Sequence, residues 1–203
     1  MDDFNVVDAE WPILDEATHT YTVGGRVIPG VTTVIKPLTN FDGIPPNVLE
    51  YKRGLGVAVH KACELYDLGT LDRASVDPAA QPYLDAWIKF LADTDFKIES
   101  LERIVYHEAY QYCGTNDRTG VLNGNGCVID LKTTAVLSPA VGVQTAAYLA
   151  AANETLAVPL THRFGLQLRP DGTYRLQEYK DRSDFSTFLA CLQLHNWRTK
   201  HGC

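Results

Sequence analysis

Gly114-Thr115-Asn116-Asp117-Arg118-Thr119-Gly120-Val121-Leu122-Asn123-Gly124-Asn125-Gly126-Cys127-Val128-Ile129-Asp130-Leu131-Lys132 carries more structural information than any other part of the chain. Asn123-Gly124-Asn125-Gly126 is a hairpin signal, because Asn and Gly accept the positive φ that a tight turn requires. With an even loop, two registers follow. A turn at Asn123-Gly124 sets Asp117 opposite Asp130, whereas a turn at Gly124-Asn125 sets it opposite Lys132. In both registers Asp117, Asp130 and Lys132 emerge on one face, since strand side chains alternate and cross-strand partners point the same way. An odd loop without a compensating bulge would send Asp117 to the other face.

Two carboxylates held a few ångströms apart repel unless a cation lies between them, so such a pair suits Mg²⁺ or Mn²⁺. A divalent ion there polarises a phosphoryl oxygen and activates water. Lys132 lies about 6–7 Å from Asp130 along the same strand face. From there its ammonium can orient the attacking water or stabilise charge on the phosphate. The competing reading makes Asp117 a turn residue, Asp130 a strand-end acid and Lys132 an exposed edge lysine.

Outside this block, Arg53-Gly-Leu-Gly56-Val-Ala-Val-His60-Lys-Ala-Cys-Glu64 reads as a helix that ends near Gly69, a C′ glycine. Gly56 lies one turn before His60 and removes bulk beside the imidazole. A neutral imidazole is a good third ligand for Mn²⁺, although a lone histidine on an apolar helix is more commonly a core residue. Glu64, one turn further on, is a candidate partner for the ring or an exposed helix glutamate. Ser138-Pro139 starts a second helix, Pro139–Ala152, with serine as N-cap. Gln144 and Tyr148 share a face of it, either as an ordinary polar edge or as a pair that touches a phosphate or a base.

These motifs, in this order, resemble the PD-(D/E)XK nuclease superfamily, in its RecB-like exonuclease branch. The likeness extends to phage-encoded exonucleases and the mitochondrial genome maintenance exonuclease, and it covers roughly residues 19–199. It rests on Asp117, Asp130-Leu-Lys132 thirteen residues on, Gly56-x-x-x-His60, Gln144-x-x-x-Tyr148 and Pro29-Gly-Val-Thr32. The resemblance implies an α/β restriction-endonuclease-like core, a central mixed β-sheet flanked by helices. It implies Asp117, Asp130 and Lys132 as catalytic residues, and His60, Asp117, Asp130 and the Leu131 carbonyl as ligands of Mg²⁺ or Mn²⁺. Gln144, Tyr148 and Arg53 would contact DNA, with Arg53 receiving a terminal phosphate through its guanidinium fork. Glu102 matches a glutamate frequent in the family and is a further candidate beside Glu64. The implied activity is DNA exonuclease cleavage giving 5′-phosphates in phage or bacterial recombination, repair or processing, with DNA ends as substrate and a single-strand annealing protein as a partner. The alternatives are a structure-specific or restriction-like endonuclease and a non-cleaving DNA-binding module. A small-molecule hydrolase is disfavoured by the absence of a Gly-rich phosphate loop or nucleophile elbow.

With 203 residues and 45% hydrophobic content, the chain can bury one sizeable core. A single domain is expected: an N-terminal hairpin and short helix (1–45), a helical segment (46–95), the catalytic sheet with the Gln144 helix (97–182) and a C-terminal helix (183–203). Tyr83, Leu84, Trp87, Ile88 and Leu91 follow at helical spacing and read as core. No leading apolar segment, transit peptide or membrane-spanning run stands out. Five cysteines, without a Cys-x-x-Cys pair, point to a reduced cytoplasmic compartment and to no iron–sulfur cluster, and the resemblance implies that the compartment is that of a bacterium or phage-infected cell. The net charge of −7 opposes a nucleic-acid role. The acid is segregated, however: six acidic residues precede Arg26, whereas seven Lys/Arg face four Asp/Glu from His162 onward.

Overall fold

The computed structural model describes residues 11–40 and 42–203. The N-terminal segment expected over 1–45 therefore includes ten leading residues and Phe41 that lie outside the described chain. The first described element is a small antiparallel sheet of β1 (Ile13–Asp15), β2 (Thr20–Val23) and β3 (Arg26–Ile28). Gly24 and Gly25 turn β2 into β3 at φ 56° and 74°, the left-handed pair of a two-residue hairpin. The sequence indicated only the β2–β3 hairpin. β1 is added because Leu14 and its neighbours find an open edge on β2. Tyr21 anchors this sheet to the main one, packing with Tyr106 and Cys113 and hydrogen bonding Thr115 at 2.8 Å.

A short α1 (Val31–Val34) and a 3-10 turn (Lys36–Leu38) lead to α2 (Pro46–Asp67). Proline opens α2, and Gly69 at φ 69° closes it, as the sequence indicates. α3 (Gln81–Asp93) buries Tyr83, Leu84, Trp87 and Phe90. The main sheet then forms from β4 (Lys97–His107), β5 (Tyr112–Leu122), β6 (Asn125–Lys132), β7 (His162–Leu168) and β8 (Tyr174–Glu178), in spatial order β4-β5-β6-β7-β8. α4 (Ala140–Asn153) is the crossover that lets β7 lie parallel to β6, while the other pairs are antiparallel. α5 (Asp184–His201) closes the chain.

The hairpin takes the first of the two expected registers. Asn123 and Gly124 adopt φ 50° and 77°, and Leu122 pairs with Asn125, Gly120 with Cys127 and Arg118 with Ile129. Strand alternation then divides β6 between two cores. Cys127, Ile129 and Leu131 pack under α2 and α3, and Val128 packs under α4 and α5. The result is a mixed α/β fold, a five-stranded sheet with helices on both faces. Burying side chains such as Trp87, Phe90 and Leu166 contributes about 1.5–3 kcal/mol each.

Candidate metal centre

The β5–β6 ladder stops at Arg118↔Ile129, one position before Asp117 would face Asp130. Beyond it the two strands part. The Leu131 N–H donates to the Asp117 carboxylate at 2.7 Å, where a backbone carbonyl of β5 would otherwise accept. β6 stays attached on its other side, pairing with β7 as far as Lys132↔Gln167. The split therefore opens at the carboxyl end of the parallel pair, the usual location of ligands in sheets with such crossovers. Gln167 secures the following loop by donating its amide to the Thr134 and Ala135 carbonyls at 2.8 and 2.7 Å.

Three elements converge on this split. α2 brings His60, β4 brings Glu102 and β5 brings Asp117, with one ligand atom of each within 4.8 Å of the others. His60 Nε2 lies 3.1 Å from the Leu131 carbonyl, and Nδ1 lies 3.6 Å from Asp117. With the proton on Nε2 donated to that carbonyl, Nδ1 is the basic nitrogen and faces the acids. Glu102 adopts φ 42° inside a strand, between the paired positions Leu101↔Arg118 and Arg103↔Asn116. Burial first, and then the charge of Asp117, push its carboxyl up to about 7.

Asp130 is placed beside this cluster and is not a member of it. It is fully buried, and its carboxylate lies 2.6 Å from Lys132 Nζ. Burial raises its pKa to about 6, against the pull of the Lys132 ammonium and with a further push from Asp117. Burial works to depress Lys132, but the charges of Asp130 and Asp117 outweigh it and hold the amine above its ordinary value. Asp130 Oδ2 has no well-aligned hydrogen bond despite its burial. A carboxylate left in that state, next to two acids and an imidazole, is a donor set suited to a divalent cation. The residues present fit Mg²⁺ or Mn²⁺.

The remaining sequence candidates are placed differently. Leu131 brings its carbonyl to the site, where it accepts from His60. Glu64 accepts from Lys61 at 2.8 Å. A Cβ on Gly56 would meet Thr133 Oγ1 at 3.5 Å, an ordinary contact, so the glycine is not required by crowding at His60. Arg53 stands two turns before His60, exposed and without an ion pair among the described residues. Gln144 and Tyr148 are buried. The amide donates to the phenol at 3.1 Å, and the ring packs so tightly on Gly114 that a Cβ there would stand 2.5 Å from it. Base stacking on Tyr148 is thus closed off in this arrangement, because the ring is buried against β5.

Sequence reasoning missed one residue at the site. Arg118 directly follows Asp117, and it is fully buried with a guanidinium held by Asp67 and Glu102. An arginine between Asp117 and an apolar strand was the available signal, since a charge at a core-facing strand position must be paired.

No protein-family profile matches the sequence, and no curated protein does. Among solved structures, the alkaline exonuclease LHK-Exo from Laribacter hongkongensis superposes with a TM-score of 0.36 at 12% identity, over 85% of this chain and 91% of that one. LHK-Exo in complex with dAMP gives a TM-score of 0.33 at 15% identity, over 86% and 93%. Scores of this size mark a loose likeness. Among the described residues, no helix is long and apolar enough to cross a membrane.

Proposed function

We propose that the chain is a divalent-metal-dependent DNA exonuclease on a PD-(D/E)XK-type core, cleaving phosphodiesters from DNA ends to leave 5′-phosphates. The observation that carries this reading is the convergence of His60, Glu102 and Asp117 within 4.8 Å at the strand split, beside the Asp130–Lys132 pair. His60, Glu102 and Asp117 hold Mg²⁺ or Mn²⁺, with Asp130 and the Leu131 carbonyl adjoining them. A divalent cation in this position supplies Lewis acidity and lowers the pKa of water.

The chain's own groups do the rest. Lys132 stays protonated, because Asp130 and Asp117 hold its amine above the ordinary value. It therefore serves as a donor to a phosphate oxygen or the attacking water and not as a proton acceptor. Asp130 keeps the ammonium in place at 2.6 Å. The His60 imidazole is oriented by the Leu131 carbonyl, and Arg53, on the same side of α2, receives the terminal phosphate of the strand. Gln144 and Tyr148 act from behind, fixing α4 against β5, and do not touch DNA. In the cell, such an enzyme resects ends during phage or bacterial recombination or repair, handing a single strand to an annealing partner.

The test is a gel series with end-labelled linear duplex, single-stranded and covalently closed circular DNA, each with Mg²⁺, Mn²⁺ or chelator. Metal-dependent loss of both linear substrates or one of them, with the circle intact, is expected. Cutting of the circle reassigns the chain to the endonucleases, and binding without cutting reassigns it to non-cleaving DNA-binding modules.

A further inference from the structure

Arg118 follows Asp117 on β5, and its side chain runs the other way, into the core under α2 and α3. It has no solvent exposure. Its Nε donates to Asp67 Oδ2 at 2.8 Å, and its Nη1 donates to Glu102 Oε1 at 2.9 Å and to the Asp117 carbonyl at 2.7 Å. The guanidinium carbon lies 5.5 Å from the centre of the Trp87 ring, whose Nε1 donates to Asp67 Oδ1 at 2.9 Å. The Asp67 side chain is 1% exposed, so two full charges are buried and compensated by each other.

Asp67 lies seven residues after His60 on α2. α2 therefore meets the acid cluster twice: directly through His60, and indirectly through Asp67, Arg118 and then Glu102. Glu102 needs that hold, because a residue with a Cβ at φ 42° is strained and persists there only when its surroundings enforce it. The charges matter as much as the geometry. Asp67 cancels the charge of Arg118, so the guanidinium can grip Glu102 without opposing a cation on the far side of that carboxylate.

We propose that Asp67 and Arg118 form a positioning strut that fixes the Glu102 carboxylate beside His60 and Asp117 and thereby sets the cluster's affinity for divalent cations. The inference rests on reading the cluster as a metal centre. Its competitor is a plain core ion pair that stabilises the fold and has no influence on the metal.

Mn²⁺ titration calorimetry on the full chain separates the two. Asp67→Asn keeps the shape and the oxygen facing Trp87 but leaves the Arg118 charge uncompensated, so the Mn²⁺ dissociation constant rises about tenfold or more. In a Glu102→Gln background the same substitution has little further effect, because the strut acts through Glu102. A loss of equal size in both backgrounds, or an unchanged dissociation constant in the first, overturns the strut. If Asp67→Asn does not fold, Trp87→Phe removes the indole donor to Asp67, together with part of the ring that lies over Arg118, and leaves every carboxylate in place. It is expected to weaken Mn²⁺ binding by about threefold in the parent and not in Glu102→Gln, with the same overturning outcomes. Asp117→Asn is the reference. If it leaves Mn²⁺ affinity intact, the metal-centre reading fails, whereas an effect there with none at Asp67 sinks the strut alone.

Discussion

Helices α2 and α4 flank one sheet, and each carries polar or small residues one turn apart that the sequence marks for function: Gly56 and His60 on α2, Gln144 and Tyr148 on α4. The structure treats them in opposite ways. The first turns of α2 are exposed, only Val59, Ala62 and Cys63 are buried, and His60 stands at the edge where solvent and the carboxylates meet. α4 is covered on all sides, with Val141, Val143, Ala147 and Ala151 in the core and the Gln144 and Tyr148 side chains spent on each other. An i,i+4 spacing shows that two side chains share a face. Whether that face is wet depends on what is stacked over it, here β5 against Tyr148 on one helix and nothing described over the start of the other.

The contrast can be broken or sharpened by measurement. The largest effect belongs to Lys132, at the end of β6 between the two helices. Lys132→Ala is expected to slow cleavage by about 10²–10³-fold while DNA affinity, measured with inert Ca²⁺, stays the same. Unchanged turnover would return the lysine to a structural role and the split strands with it.

His60→Ala tests the α2 side. A half-exposed imidazole contributes little packing, so Mn²⁺ affinity should fall about 10–100-fold with the melting temperature nearly unmoved. A melting temperature that drops alone would make this a packing histidine and remove the distinction between the helices.

The acids on the α2 side also give the metal-free protein a pH signature. Glu102 titrates near 4.5 when unfolded and at about 7 when folded, so between these values the folded chain holds a proton that the unfolded chain has released. Stability is therefore fully present below about pH 4.5 and lost as pH rises to 7, and Asp130, raised to about 6, acts in the same sense. Thermal melts in chelator should fall by several degrees across that window and recover with Mn²⁺. Glu102→Gln should flatten the slope, and a slope that persists undiminished would assign it elsewhere.

The smallest effect lies on the α4 side. Tyr148→Phe leaves the buried Gln144 amide without its acceptor and should cost about 1–2 kcal/mol of stability, with DNA affinity unaltered. The reverse pattern, weaker DNA binding at equal stability, would put Tyr148 in contact with substrate.

Much of this was legible in the chain. Asn123-Gly124 was one of the two tight turns the sequence offered, and once it forms the register follows by counting, which puts Arg118 opposite Ile129. The helix stop at Gly69 was equally readable, because a C′ glycine is a local signal. Glu102 was singled out only by its match to a glutamate frequent in the resembled family. What selects it is a left-handed backbone and the grip of a buried guanidinium, neither of which leaves a pattern in sequence. Of the two registers the sequence allowed, the one that forms would set Asp117 opposite Asp130, yet the side chain of Asp117 takes the Leu131 N–H and the strands separate there.

The order of residues by itself determined which groups could meet: the turn chemistry and the period of two place both acids and the lysine on one face of a ribbon, whatever packs around it. Only the tertiary structure decided who keeps company with whom. Burial couples Asp130 to Lys132, a non-local arginine carries Glu102 to His60 and Asp117, and close packing on Gly114 of β5 seals Tyr148. The reason is physical: turn and strand geometry act over a few residues, whereas desolvation and charge pairing depend on the distant segments that fill the space around a group.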